Sequence, residues 1–445
     1  MNIVYIDCHD LGDWIGCYDK PWLDTPNLDR LAAEGARFTQ HFATAPQCIP
    51  SRASLYCGKL PHRCGVIQQS PLGSESRCLA RYLSEQGWRT LLLGGLNIPN
   101  DPAWAGFLIR QALPESAAEA EDRLRVLVGS YEPWFVHISY GRVHRPYGQS
   151  YDPADVDRIP VPPVLPDTLA TRRDLASLAR NVQELDAQVG LILNALQTHG
   201  LLSNTIVVFT TDHGPGLARH KHTVYDAGLR TALLMRLPGG IAANTEHSQL
   251  LSHVDLFPTL CELSGAHVPD DLDGRSFVRV LGDPAAVVRT QVFAEMNWAR
   301  RGSQLCYAPH RCLRTRRYKL IRNFALTPFY LDGDFVARFA NGLDELHRWP
   351  LFGQPSPPYE LYDCAADPWE LNDLAADPAH IDLVRDLDCD LARLMVDTGD
   401  VALDGRIPSQ SSEPVKPQWV EDGTGRYRLN YDAGSESMER PFTTA

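Results

Sequence analysis

Between residues 48 and 62 the chain reads Cys48-Ile49-Pro50-Ser51-Arg52, then a short apolar-spaced run, then Gly58-Lys59-Leu60-Pro61-His62. Pro50 fixes its own φ and biases Ile49 away from the helical region. The spacing predicts a helix that begins at about Ser51, with Cys48 just ahead of its N-terminus. Free backbone N–H groups and the helix dipole stabilise a developing anion at such a position. Arg52, one turn in, can direct a planar cationic fork at the same anion. The plainer alternative is a buried cysteine ahead of a proline-started helix.

Two other stretches carry ligand chemistry at the ends of predicted strands. The first strand runs out through Ile6-Asp7-Cys8-His9-Asp10-Leu11-Gly12, and a later one through Thr210-Thr211-Asp212-His213-Gly214. A carboxylate at the end of a buried strand is costly unless a cation holds it. Open α/β sheets bind their ligands at such strand ends. Carboxylates and imidazoles both ligate divalent metals, and two strand ends far apart in sequence are the pattern a shared site needs. Basic residues gather from Arg219 to Arg230, around Lys221, and His144 precedes a turn anchored by Pro146. Read alone, the first is a solvated loop and the second a structural histidine. His310, in Tyr307-Ala308-Pro309-His310-Arg311, is expected to reach a pocket rim from the C-terminal part of the chain.

Buried strands alternating with helices must position these residues. Asn2–Ile6, Trp88–Leu93, Pro133–Ile138, Thr205–Phe209 and Leu233–Leu237 are apolar runs of the kind that two covered faces require. Thr25 and Pro26 open a helix that Gly35 stops. Leu175, Leu178, Val182, Leu185, Val189, Leu193 and Leu196 follow helical steps and form a core-facing stripe, ended by Gly200. Ser252–Leu260 reads as a proline-interrupted helix with His253 packed inside. A domain change is expected between Gly274 and Val288. After it strands dominate, at Gln291–Glu295, Arg314–Ile321 and around Glu360–Asp363, before a helix from about Ile381 to Val396.

The 445 residues exceed one ordinary core, so two domains are the default. A hydrophobic content of 44% and a charged content of 22% are those of a globular protein. The net charge of −13 argues against nucleic acid or an acidic membrane as partner. Any anion site is then a local basic pocket. No leader-like segment precedes the first strand and no apolar run approaches a membrane span, so a cytoplasmic location is expected. Eleven cysteines without framework spacing fit reduced thiols.

Cys48-x-Pro50-Ser51-Arg52, with Leu55, Gly58 and Pro61-His62 downstream, resembles the sulfatase signature within the alkaline-phosphatase-like superfamily. Thr25-Pro26-Asn27-Leu28-Asp29 and the 212–230 region resemble the same family, and the likeness reaches to about residue 396. It implies an α/β fold: a large mixed, mostly parallel sheet flanked by helices, with a smaller C-terminal antiparallel α+β domain. The expected division is a catalytic domain over 1–280, the smaller domain over 281–400, and a polar tail or arm over 401–445.

The resemblance also implies chemistry. Cys48 is oxidised to Cα-formylglycine by a formylglycine-generating enzyme, and its hydrate is the nucleophile. Asp10, Asp212 and His213 hold one divalent metal with residue 48, Ca²⁺ first, with Mn²⁺ or Mg²⁺ as alternates. His9 stands where the family has an aspartate, so either His9 or Asp7 completes the set. Lys221 and Arg52 stabilise the sulfate oxygens, and His144 protonates the leaving alcohol. Gly95 and Asn97 replace a customary lysine and histidine, which leaves Asn97 as a substrate contact through hydrogen bonding. The implied activity is hydrolysis of an aryl or carbohydrate sulfate monoester, in a chain that can form homo-oligomers. Phosphonate monoester or phosphodiester hydrolysis is the first alternative, and a silent anion-binding homologue the second.

Overall fold

The computed structural model describes residues 1–325 apart from 69, 74, 75, 149, 302 and 303, then 356–405 and 407. It also describes the backbone of 418–421 and 427–430, and of 299–301 and 304–306 only the backbone is considered. The strands of the N-terminal part are β1 (Asn2–Cys8), β2 (Ala36–Phe38), β3 (His41–Phe42), β4 (Arg89–Gly94), β5 (Ile109–Gln111), β6 (Trp134–Tyr140), β7 (Thr205–Thr211), β8 (Leu233–Arg236), β9 (Thr245–His247) and β10 (Leu251–Ser252). Eight of them form one sheet in the order β5-β4-β6-β1-β7-β8-β2-β9, while β3 and β10 pair separately. β1 lies between β6 and β7, parallel to both. β8 runs antiparallel to both its neighbours, so the sheet is mixed but mostly parallel.

Every residue of β6 and β7 is buried. Alternate side chains serve two cores, as the period of two requires. Val4, Ile6 and Cys8 pack with Val136, Ile138, Val207 and Phe209 against the stripe of the helix Leu169–Thr198. Ile3 and Tyr5 pack with Phe135, Ile206 and Val208 beneath the helices Cys48–Cys57, Leu79–Glu85 and Leu256–Ser264. Asp7 lies on this second face, in line with Ile3 and Tyr5. Its neighbour across the ladder is Ser139, and that of Tyr5 is His137.

The helix that carries the signature starts earlier than its sequence suggests. Cys48 is already its first residue and Gln47 its cap, so Pro50 sits within the first turn, where a missing N–H costs nothing. Thr25 precedes the helix Pro26–Glu34 without a side-chain cap. Its hydroxyl accepts from the N–H of Gly16 and donates to Asp29 instead. Ser252 and Asp255 form a capping box around a short 3₁₀ turn that leads into Leu256–Ser264.

The second sheet is antiparallel, with β11 (Gln291–Arg301), β12 (Gln304–Thr315), β13 (Tyr318–Asn323) and β14 (Tyr359–Asp363) in sequence order. The helix Ile381–Thr398 lays Leu387, Leu391 and Met395 on Leu313, Leu320 and Leu361. The continuous strand expected over Arg314–Ile321 is instead a hairpin that turns at Arg316-Arg317. Thr315 closes the turn, accepting from the Tyr318 N–H at 2.9 Å and donating to the Tyr318 carbonyl at 3.0 Å. Of the tail expected over 401–445, Val401–Asp404 is a 3₁₀ turn, and Gln418–Glu421 pairs antiparallel with Tyr427–Asn430. Most of the remainder lies outside the described residues. Among the described residues no helix is long and apolar enough to cross a membrane, and the ten described cysteines are all free.

Candidate active site

The C-terminal ends of β1 and β7 are laced together by backbone. Asp212 N–H donates to the Cys8 carbonyl at 3.1 Å, and Gly12 N–H to the His213 carbonyl at 2.7 Å. The Asp212 carboxylate answers from above: its Oδ1 accepts the N–H groups of both Asp10 and His213 at 2.8 Å. Asp10 adopts a positive φ of 48°, which turns its side chain off the strand. Gly214 allows the close approach, since a Cβ there would lie 2.0 Å from the Ala227 carbonyl oxygen.

Four buried side chains converge here. His9, Asp10, Cys48 and Asp212 each offer a ligand atom, all within 4.8 Å of one another. His213 joins them: its Nε2 lies 3.3 Å from Cys48 Sγ, 3.4 Å from Asp10 Oδ1 and 3.7 Å from Asp212 Oδ1. The His213 Nδ1 faces the Gly214 carbonyl at 2.8 Å, and a carbonyl only accepts, so Nδ1 carries the proton. His9 Nδ1 is buried, 3.3 Å from Asp212 Oδ2, and makes no hydrogen bond. An orphaned imidazole nitrogen, a second imidazole aimed inward and two carboxylates are a donor set that fits a divalent cation.

Asp7 is not part of that set. Its carboxylate is taken by Arg52 Nη1 at 2.8 Å, His137 Nε2 at 2.8 Å, Tyr56 OH at 2.6 Å and the Ser139 hydroxyl. Burial would raise its pKa, but Arg52, His137 and Ser139 outweigh burial and hold it far below the usual carboxylate range. Of the two residues left open by the sequence, the geometry brings His9, not Asp7, to the cluster. Arg52 is fully buried and also donates through Nε to Asp212 Oδ2 at 3.0 Å. Only its Nη2 has no partner.

Lys221 Nζ lies 2.7 Å from Asp10 Oδ2 and 3.3 Å from His144 Nε2. The loop that delivers it is held by the His222 N–H on the Pro46 carbonyl, next to the start of the signature helix. His144 keeps 42% of its side chain exposed while the rest of the cluster is enclosed, so it faces the open side. Burial would push the Cys48 thiol up. Lys221 and His213, with hydrogen bonds from His144 and His213, instead bring it well below the ordinary thiol range. The hydrogen bond to Cys48 raises the pKa of His144, burial opposes it, and Asp10 adds to the rise. The cations and donors around residue 48 therefore favour an anion there.

Asn97, in the left-handed region at φ 58°, donates to Ser139 Oγ at 2.7 Å and to the Gly95 carbonyl at 3.3 Å. It sits beside the Arg52–Asp7–Ser139 network. A Cβ on Gly95 would meet little besides Asn97 itself, so this wall is open where a lysine was expected. His310 is not among the residues of this cluster; it lies on β12 and hydrogen-bonds Asn323 of β13, 2.5 Å away. The sequence reading also missed the cradle of Arg52. Its signals were there: Tyr56 is four residues on from Arg52 on one helix, and His137 and Ser139 alternate along an otherwise apolar strand.

Fold and cluster together define a mixed, mostly parallel α/β scaffold with a buried cysteine beside a carboxylate–imidazole ligand set. The model of the Sulfatase family matches residues 1–107 and 116–266, more than half of the chain, and that of the N-sulphoglucosamine sulphohydrolase C-terminal region matches 218–332. The chain belongs to the sulfatase family of sulfuric ester hydrolases. It is 26% identical to human N-sulphoglucosamine sulphohydrolase over 94% of each chain. It is 27% identical to an ulvan-active sulfatase of Formosa agariphila over 94% of this chain and 78% of that one. Among solved structures, BT4656 in complex with its substrate D-glucosamine-2-N,6-O-disulfate superposes with a TM-score of 0.71 at 19% identity, over 91% of this chain and 99% of that one. The phosphonate monoester hydrolase SpPMH from Silicibacter pomeroyi gives 0.69 at 19% identity, over 97% and 99%.

Proposed function

We propose that this protein hydrolyses a sulfate monoester of a saccharide, with residue 48 acting as Cα-formylglycine. One observation carries the reading: Cys48 Sγ lies within 3.5 Å of both Asp10 Oδ1 and His213 Nε2, next to Lys221 and half-exposed His144. A thiol nucleophile alone would not need that ligand set. The saccharide preference is supported by N-sulphoglucosamine sulphohydrolase, which aligns along nearly the whole chain.

Conversion to formylglycine replaces the thiol with an aldehyde, whose hydrate has one hydroxyl to attack sulfur and a second to expel sulfate as the carbonyl reforms. Asp10, Asp212, His213 and His9 would hold a divalent cation, which supplies Lewis-acid polarisation when bound. Lys221 and the free Nη2 of Arg52 stabilise the charge on the transferring group by preorganised contact. Asp7, Tyr56 and Ser139 keep Arg52 from reorienting. His144, on the open side, donates a proton to the leaving alcohol oxygen.

The open Gly95 wall and the Asp212-His213 pair favour a second reading, phosphonate monoester hydrolysis. Both readings are tested by purified protein assayed on 6-O-sulfated glucosamine, N-sulfated glucosamine, an aryl sulfate and an aryl phosphonate monoester. Saccharide sulfate turnover with a kcat/KM above that for the phosphonate is expected. Turnover of the phosphonate alone would replace the first reading with the second.

A further inference from the structure

The ligand set differs in kind from one built for Ca²⁺. Ca²⁺ takes six to eight oxygen ligands. Among the described residues, two carboxylates face the cluster, and both are already engaged. Asp212 accepts three N–H groups, from Asp10, His213 and Arg52, and Asp10 Oδ2 faces Lys221. Asp7, the one carboxylate that would enrich the site in oxygen, is committed to Arg52, Tyr56, His137 and Ser139.

The other two donors are nitrogens. His213 directs its Nδ1–H at the Gly214 carbonyl, so Nε2 is the ring nitrogen turned toward Asp10 Oδ1 and Asp212 Oδ1 and is the atom a cation there would take. A backbone carbonyl on the far nitrogen is the usual way a ligating histidine is oriented. His9 Nδ1 is buried, makes no hydrogen bond and lies 3.3 Å from Asp212 Oδ2, within the same cluster of ligand atoms. Imidazoles suit Zn²⁺, Fe²⁺ and Ni²⁺, whereas carboxylate, carbonyl and water suit Ca²⁺.

We infer that the resident ion is a divalent first-row transition metal held by mixed nitrogen and oxygen donors, and that His9 sets this preference. The inference rests on the functional reading above only in taking the cluster as the metal site. Its test reads the metal, not turnover.

The full chain, stripped with a chelator, is titrated calorimetrically with ZnCl₂ and, separately, CaCl₂. Zn²⁺ should bind at least about 10-fold tighter than Ca²⁺, and pulsed EPR of the protein loaded with Mn²⁺ as a paramagnetic probe should show coupling to ¹⁴N. His9→Asp should narrow the Zn²⁺/Ca²⁺ affinity ratio by about 10-fold or more. His9→Asn, melted beside it in the stripped form, provides a second folded variant in which one ¹⁴N coupling is lost. Ca²⁺ binding as tight as Zn²⁺, or no ¹⁴N coupling in the parent protein, would overturn the inference. So would an unchanged ratio in His9→Asp. Sulfate release with Ca²⁺ preferred would sink the metal assignment and leave the function intact. Zn²⁺ preference without sulfate release would support the metal assignment and sink the function.

Discussion

Among the described residues, two buried clusters hold a lysine among carboxylates, and they do opposite things. Around Asp226, Lys319 Nζ lies 2.5 Å from Asp226 Oδ1 and 2.9 Å from Glu370 Oε1. Arg230 and Arg314 reach the same aspartate at 2.9 and 3.2 Å. Each of these charges has a counter-charge, and the ammonium already fills the centre of a group that could otherwise take a metal. At Asp10, Lys221 also pairs with a carboxylate, yet Arg52 Nη2 makes no hydrogen bond, and His213 Nε2 faces two carboxylates. Burial and charge alone do not mark a functional site. Unspent donor and acceptor capacity, pointed at one place, does.

The sharpest way to break the comparison is to remove the two lysines. Lys221→Met should lower kcat by about 10²–10³, the scale for losing one preorganised charge, with the melting temperature little changed. Lys319→Met should do the reverse. Stranding Asp226 and Glu370 should destabilise the fold by about 3–5 kcal/mol, read by denaturant unfolding, with activity per folded molecule retained. Equal losses of stability in the two variants would erase the distinction.

His144→Ala should cost about 10²-fold in kcat on a saccharide sulfate and clearly less on an aryl sulfate with an acidic leaving phenol. Parallel kcat measurements on the two substrates check this, and an equal loss on both would remove His144 as the proton donor. Asp7→Asn leaves Arg52 one counter-charge short. It should destabilise by about 1–3 kcal/mol and shift kcat more than KM, as measured by unfolding and steady-state kinetics.

The smallest effect concerns His62, whose Nδ1 lies 2.6 Å from Glu295 and joins the signature segment to β11. Burial would lower its pKa, but Glu295 outweighs burial and raises it. The pair's stabilisation is therefore complete below the unfolded histidine value of about 6.5 and is lost as pH rises through the folded value. The gap in melting temperature between the parent and His62→Gln should shrink from pH 6 to alkaline pH. A constant gap would contradict the ion pair.

Much of the site could be read from local motifs. Cys48 with Arg52, Asp10, Asp212 with His213, Lys221 and His144 all come together, because short spacings at strand ends and helix starts are local features. The choice between Asp7 and His9 was not readable. It depends on β6 lying beside β1, which places His137 and Ser139 against Asp7. The hairpin at Arg316-Arg317 was missed because two arginines give no turn signal, and its closure comes from the Thr315 side chain. Asn97 required knowing that β4 ends beside β6.

The central claim is that residue 48 does not work as a thiol. The tryptic peptide Phe38–Arg52 from protein purified from its native host, or co-expressed with a formylglycine-generating enzyme, contains that residue alone among the cysteines. Its mass should be about 18 Da below that of the thiol form, because sulfur and two hydrogens leave and one oxygen enters, and sulfate release should track the converted fraction. A peptide of unmodified mass from protein that still releases sulfate would contradict the account.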